Sequence, residues 1–493
     1  MSPVGPRSGL LGWVMVTAGA LIAASLGPRG PATAQPASPR PNIVLILTDD
    51  EDRNLHAFMP KTKALLEDRG VTFDNYFVTY ASCCPSRASI LRGQYPHNHR
   101  IRGNKPPTGG YEKFRALGHD SSTIATWLRD AGYHTALLGK YLNRYRPDAD
   151  GVPPGWAEWY VGGNAHRGFG YTLNENGALV AYGDRPADYL TDVLAGKATE
   201  VIHRAALTGR PLFLYVAPYT PHSPATPAPR HAHLFADAAL PRPPSFNEAD
   251  VSDKPAFIRD LPPLDGSQIA ANEEHYRNRL RSLQAIDDLV EGIVSALRET
   301  KRLANTYIVY TSDNGFHMGE HRLVAGKDTP YEEDIRVPFI VRGPNVPAGQ
   351  RRDPMVLNID LAPTFAEIAG AEPPDFVDGR SFLPLLADPD RPWREGFLVE
   401  RRQLPARGIA GWAGFNALRT ADWTYVEYGD GERELYNHED DPHQLQNLAA
   451  EAAPSLSEAL SSRLAELVNC AAADCRELED ASVGGRGALL QRR

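Results

Sequence analysis

The run Cys83-Cys84-Pro85-Ser86-Arg87-Ala88-Ser89-Ile90-Leu91-Arg92-Gly93 sets a thiol just ahead of a stretch that can start a helix. Pro85 suits a first helical turn, and Ala88 to Leu91 can continue it. A side chain at position 83 then meets a helix N-terminus, where backbone N–H groups and the dipole favour an anion. Arg87, one turn on, adds a planar charged fork for the same anion. These residues read either as a nucleophile at an anion pocket or as a buried cysteine pair in a helix cap. Adjacent cysteines rarely bond to each other, because the geometry is strained.

Asp49 and Asp50 are neighbouring carboxylates that repel one another unless a cation lies beside them. Hard divalent cations take oxygen ligands of this kind. Alone, the pair reads equally as a turn or a helix cap. Asp313 and Asn314 add a carboxylate and an amide oxygen from a second loop, and Gly315 lets the backbone turn there. Four oxygen ligands from two loops suit Ca²⁺ or Mg²⁺, without the Cys/His set of structural zinc.

The elements that must carry these groups are legible as apolar runs. Asn42 to Leu47 is continuous and β-branched, as a strand buried on both faces requires. Similar runs recur at His134 to Leu138, Leu212 to Val216, Tyr307 to Tyr310 and Pro338 to Val341. Helical patterns lie between them at Lys61 to Asp68, Ser122 to Asp130, Asp188 to Ala206 and Glu273 to Thr300. The alternation predicts an α/β domain with a mainly parallel sheet sandwiched by helices. Ligands bind beyond the carboxyl ends of such strands. Asp49-Asp50, Gly139-Lys140, Pro221-His222 and Asp313-Asn314-Gly315 all fall there, so the polar groups converge on one edge.

Beyond about Glu372 the pattern changes. Trp412 to Tyr428 holds short alternating segments, Asp430-Gly431 is a turn, and Leu435-Tyr436 follows, predicting a smaller antiparallel sheet capped by a helix over Ser455 to Val468. The expected division is a signal peptide at 1–34, a linker at 35–41, a catalytic domain at 42–372, a C-terminal subdomain at 373–480 and a tail at 481–493. Arg7, the apolar run Leu10 to Leu26 and the small residues Ala32-Thr33-Ala34 read as a cleaved export signal. The mature protein is therefore expected to be secreted or extracytoplasmic, without stable membrane insertion. A net charge of −9 speaks against a nucleic-acid partner held by bulk electrostatics. Attraction for an anionic substrate must then come from local basic groups. Of the four cysteines, Cys470 and Cys475 are either a disulfide or two free thiols.

Cys83-Cys84-Pro85-Ser86-Arg87 resembles the Cys-X-Pro-Ser-Arg signature of formylglycine-dependent sulfatases of the alkaline-phosphatase-like superfamily. The wider run to Tyr95-Pro96-His97-Asn98-His99 is most similar to the N-acetylglucosamine-6-sulfatase branch and its extracellular sulfatase relatives. The resemblance extends from about Pro41 to Leu448, with separated motifs in the same order.

The resemblance implies that a maturation enzyme oxidises Cys83 to formylglycine and that an oxygen of the aldehyde hydrate attacks sulfur. It implies that Asp49, Asp50, Asp313 and Asn314, with the modified Cys83, hold Ca²⁺ (Mg²⁺ second). Arg87 matches the residue that holds the hydrate. Lys140 and Lys327 match sulfate-binding lysines, and His222 matches a histidine that helps protonate the departing alcohol. His317 is expected to approach the substrate, and His321 to be structural.

The chain departs from many sulfatases at Arg92, where they carry Thr, and at Leu142, where they carry His; the glucosamine-6-sulfatase branch also lacks that His. The implied substrate is a sulfated carbohydrate such as N-acetylglucosamine 6-sulfate in a glycan. The cluster Arg100, Arg102 and Lys105 either attracts such a chain or is a solvated loop. Two other readings compete: a phosphoester or phosphonate hydrolase, which several metals would favour, and an inactive glycan-binding relative.

Overall fold

Asn42 to Thr48 forms the central strand, and every one of its residues is buried, as a strand covered on both faces must be. The structure, a computed structural model, describes residues 40–402 and 413–482, together with Gly12 and Met15. The expected signal peptide, most of the linker and residues 483–493 of the tail lie outside the described residues. No helix among the described residues is long and apolar enough to cross a membrane.

The first eight strands are β1 (Asn42–Thr48), β2 (Val71–Phe73), β3 (Tyr76–Phe77), β4 (His134–Lys140), β5 (Glu158–Gly162), β6 (Tyr171–Glu175), β7 (Ala178–Tyr182) and β8 (Leu212–Ala217). The rest are β9 (Thr306–Ser312), β10 (Phe339–Arg342), β11 (Gln350–Arg352), β12 (Val356–Leu357), β13 (Gly396–Arg401), β14 (Phe415–Thr420), β15 (Trp423–Tyr428) and β16 (Arg433–Asn437). The main sheet has the order β11-β2-β10-β9-β1-β8-β4-β5-β6-β7. Its middle, β9-β1-β8-β4-β5, is parallel throughout.

Alternation along β1 feeds two cores. Ile43, Leu45 and Leu47 pack with Ala88, Ile90, Leu128 and Phe365 on one face. Val44 and Ile46 pack with Leu194, Val201, Leu283 and Ile286 on the other. Side chains of successive strand residues point to opposite faces, so one continuous apolar run serves both layers. Each buried aliphatic side chain contributes about 1.5–3 kcal/mol. The helices Leu190–Thr208 and Gly266–Glu299 cover one layer, and Cys83–Arg92, Ile124–Asp130 and Leu361–Ala369 the other.

Two expectations shift in detail. The run at 338–341 forms a strand, but β10 lies antiparallel to β9, so that side of the sheet is mixed. The long helix begins at Gly266 rather than Glu273. The Asp265 side chain accepts from the N–H groups of Ser267 and Gln268, and this cap starts the helix two turns before the apolar periodicity does.

The C-terminal sheet is antiparallel in the order β13-β14-β15-β16, with the helix Pro454–Leu467 packed against it. Buried charges fasten it to the rest of the chain. Arg419 on β14 donates to Glu332 at 2.8 Å, and the Glu434 carboxylate accepts from the hydroxyls of Tyr331, Tyr428 and Tyr436. Cys470 and Cys475 form a disulfide.

Candidate active site

Four adjacent strand ends supply the expected residues. Asp49 and Asp50 follow β1, Lys140 ends β4, His222 lies beyond β8, and Asp313 and Asn314 follow β9. The Asp49 N–H donates to Thr220 O and the Asp313 N–H to Thr48 O, both at 3.1 Å, which stitches the three loops together. Asp49, Asp313 and Asn314 are fully buried and Asp50 is nearly so. Asp50 adopts a left-handed backbone (φ 66°), which Asp tolerates better than most side chains. Its N–H donates to Asp313 Oδ1, and Asn314 Nδ2 donates to Asp50 Oδ1 at 2.7 Å.

Cys83 is the first residue of the helix Cys83–Arg92, after the N-cap Ser82. The two cysteines have different surroundings. Cys84 packs in the core, its N–H donates to Asn104 Oδ1, and burial pushes its thiol up to about 11. Cys83 Sγ faces the carboxylates, 3.5 Å from Asp49 Oδ1 and 2.9 Å from Lys327 Nζ. Burial pushes this thiol up as well, against the pull of Lys140 and Lys327, so it is held as a neutral thiol rather than as a thiolate nucleophile.

Arg87 spans the site. Nε donates to Asp313 Oδ2 at 2.8 Å and Nη1 to Lys140 O at 3.0 Å. Nη2 is 4.0 Å from Asp49 Oδ1 and has no hydrogen-bond partner though fully buried. Cys83 Sγ stands by the same Asp49 oxygen, and a buried guanidinium N–H left open there is a donor for an oxygen.

Lys140 Nζ lies 2.5 Å from Asp49 Oδ2. Gly139 sets it there with φ at 103°, and a Cβ at this position would stand 2.0 Å from Ala217 O. Lys327 donates to Asp50 Oδ1. Burial opposes both ammonium charges, but the carboxylates reverse this and hold both lysines above their usual value. For Asp49 burial works against ionisation, and Lys140, His222 and Arg87 outweigh it, keeping the carboxyl well below its usual value. Asp313 is pushed up by burial despite Arg87.

His222 Nδ1 lies 2.7 Å from Ser223 O. A carbonyl only accepts, so Nδ1 carries the proton, and Nε2 faces Asp50 Oδ2 at 3.7 Å. His317 is buried, with Nδ1 3.0 Å from Asp334. Its backbone pairs with Gly326 in both directions, so it fastens the segment that carries Lys327. His321 is buried on Glu248. Gly315 serves a close approach rather than a special turn: a Cβ there would lie 2.0 Å from Glu333 O. Arg92 is structural, holding Gln94 and the Ser122 carbonyl.

The donor chemistry fits a hard divalent cation. Asp49, Asp50, Cys83 and His222 present ligand atoms within 4.8 Å of one another, and the Asp313 carboxylate and Asn314 amide adjoin them. Three buried carboxylates in one cluster, with oxygen donors dominant, match Ca²⁺ or Mg²⁺.

Above them opens a cavity of about 1350 Å³, walled by Lys140, Lys327, Tyr219, Arg402, Lys105 and His166 among others. No motif or spacing pointed to His166. It belongs to the β5–β6 connection, and tertiary structure alone brings its ring to 4.3 Å from that of His222. Burial, then the charge of Lys140, lowers it to about 3, so it is a neutral imidazole.

Known proteins of one family resemble this chain. The family profile described as Sulfatase matches residues 41–371, and that described as N-sulphoglucosamine sulphohydrolase, C-terminal, matches residues 319–470. Human N-acetylglucosamine-6-sulfatase is 37% identical over 476 residues, 89% of this chain and 86% of the relative. A Sulf-1 homolog of Caenorhabditis elegans is 39% identical over 378 residues, 74% of this chain. The alignment spans only about half, 53%, of that relative's length. A structure solved with its substrate D-glucosamine-2-N,6-O-disulfate superposes with a TM-score of 0.73 at 25% identity, over 87% of this chain and 97% of the other.

Proposed function

This chain belongs to the sulfatase family, the sulfuric ester hydrolases, and from that premise we propose that it removes sulfate from a sulfated sugar such as N-acetylglucosamine 6-sulfate in a glycan. The observation that carries the proposal is the open Nη2 of Arg87, which shares the neighbourhood of Asp49 Oδ1 with Cys83 Sγ, among three buried carboxylates and the ammonium groups of Lys140 and Lys327. The names and substrates of the relatives support the choice of sugar.

Asp49, Asp50, Asp313 and Asn314 would hold the metal, best Ca²⁺, whose positive charge would stabilise charge developing on the sulfate oxygens. Formylglycine at position 83 would supply a hydrate oxygen able to attack sulfur. The chain's own residues do the rest. Arg87 Nη2 donates to an oxygen at position 83. Lys140 and Lys327, fully charged, neutralise the sulfate oxygens in a buried setting where such contacts are strong. His222, its Nδ1–H fixed by Ser223 O, can carry a second proton only on Nε2; Asp50 steadies that cation, and Nε2 delivers the proton to the departing alcohol.

We further propose that the protein is exported, on the strength of its amino-terminal sequence and its extracellular relatives, and that a host maturation enzyme converts Cys83. Tandem mass spectrometry of the Cys83 peptide from host-made protein, paired with turnover of monosulfated sugars, tests the proposal. The expected result is an aldehyde mass and sulfate release. An intact thiol in a protein that still cleaves sulfate esters refutes the chemistry. Phosphate and phosphonate esters assayed alongside decide against the competing hydrolase reading if they turn over far more slowly.

A further inference from the structure

The cavity over Cys83 has two basic ends. At its floor Lys140 and Lys327 each meet a carboxylate. On its wall stand Lys105 and Arg402, both exposed, and no ion pair joins either to a carboxylate among the described residues.

The wall pair is built from segments almost 300 residues apart in the chain. Tyr80 joins them: its hydroxyl donates to Arg102 O at 3.0 Å and accepts from Arg402 N–H at 3.3 Å. The loop bearing Lys105 is closed on itself, with Gly109 N–H on Lys105 O at 2.9 Å and Arg102 N–H on Thr108 O at 2.8 Å. Gly109 allows that closure, since a Cβ there would lie 1.6 Å from Gly103 O. Lys113 stands behind, close enough to feel Arg100, Arg402 and Arg102; burial first and then these three charges lower it. Arg100, Arg102 and Lys113 also lack a carboxylate partner among the described residues. The two ends of the cavity adjoin, because Asp328, next to Lys327, faces Arg401, next to Arg402, at 3.9 Å.

Five cations that lack a carboxylate partner among the described residues, on a chain of net charge −9, give this wall a local positive field that favours an anion. Arg144 and Arg146 on the same wall are unlike them, being matched by Glu112 and Asp150. We infer that Lys105 and Arg402, backed by Arg100, Arg102 and Lys113, form a second anion subsite. It takes a carboxylate or sulfate elsewhere on the substrate while the ester to be cleaved lies at Cys83. This rests on the sulfatase reading and narrows it: the preferred substrate carries at least two anionic groups.

The test compares N-acetylglucosamine 6-sulfate with a 6-sulfated disaccharide that adds one uronate carboxylate, on wild-type protein and on the Lys105→Gln/Arg402→Gln double variant. Both positions are exposed, so the fold should tolerate the change. The expected wild-type KM is about tenfold lower for the disaccharide, and the double variant loses that advantage while kcat changes less than about twofold. Added salt should erode the wild-type preference in the same direction. An advantage that survives in the double variant, or an equal loss on both sugars, overturns the subsite. If wild-type protein cleaves neither sugar, the sulfatase reading fails separately. Calorimetric binding of the disaccharide then judges the subsite alone, and equal affinity for wild type and double variant overturns it.

Discussion

Arg87 Nε donates to Asp313 Oδ2 across 2.8 Å, joining the helix that begins at Cys83 to the end of β9. Both side chains are buried, so the pair fixes where the helix N-terminus meets the carboxylates. Removing one partner of a buried ion pair leaves the other uncompensated and costs about 3–5 kcal/mol. Arg87→Ala is therefore expected to lower the unfolding free energy from urea titration by that amount and to abolish turnover. Arg87→Met combined with Asp313→Leu should recover much of the stability and none of the activity. Full activity in either protein would contradict the role given to Arg87.

His222 as proton donor predicts a dependence on the leaving group. With a sugar alcohol, His222→Ala should lower kcat by about 10²–10⁴-fold, the usual contribution of a positioned acid. With an aryl sulfate whose phenolate leaves unaided the loss should be far smaller. Equal losses on both esters would make His222 a binding residue instead.

Calcium should stabilise the fold through the buried carboxylates. At a free concentration one hundred times Kd, the gain is about 2.7 kcal/mol, read as a higher Tm in calcium than in chelator. Asp50→Asn should shrink the difference and reduce turnover together. A Tm indifferent to chelator would argue against a resident metal.

Glu332 gives the acid limb of stability a definite sign. Burial disfavours its charge, but Arg419, His438 and Arg336 overcome this and lower it from 4.5 to about 2. A depressed carboxyl stabilises the native state above its unfolded value and loses that contribution as pH falls from about 4.5 toward 2. The Glu332–Arg419 pair spans the α/β core and the C-terminal sheet, so the loss, on the order of 3 kcal/mol in full, should free that sheet first. Denaturant unfolding from pH 6 to pH 3 should show a shallower decline in Glu332→Gln than in wild type; identical slopes would refute the assignment.

Much of this site was legible in the chain because its residues are strung just past apolar runs. Burial on both faces makes β1, β4, β8 and β9 continuous and aliphatic, and parallel pairing forces their carboxyl ends to one edge. That rule places Asp49, Lys140, His222 and Asp313 at one edge, while the roles expected of them came from the resemblance to sulfatases. Local chemistry likewise marks the start of the helix at Cys83. Other features depend on partners far away in sequence, and no local pattern encodes those. The strands β6 and β7 lie on the sheet's margin, where exposed residues blur the alternation, and the sense of β10 is set by β2 and β9 rather than by its own residues. Cys84 differs from Cys83 only in what packs on it. His166 reaches His222, and Arg402 comes to line the same cavity as Lys105, only through the tertiary packing. Chain order supplied the chemistry of each strand end; the three-dimensional packing decided which distant side chains share its space, because contact energies fall off over a few ångströms and are blind to separation along the chain.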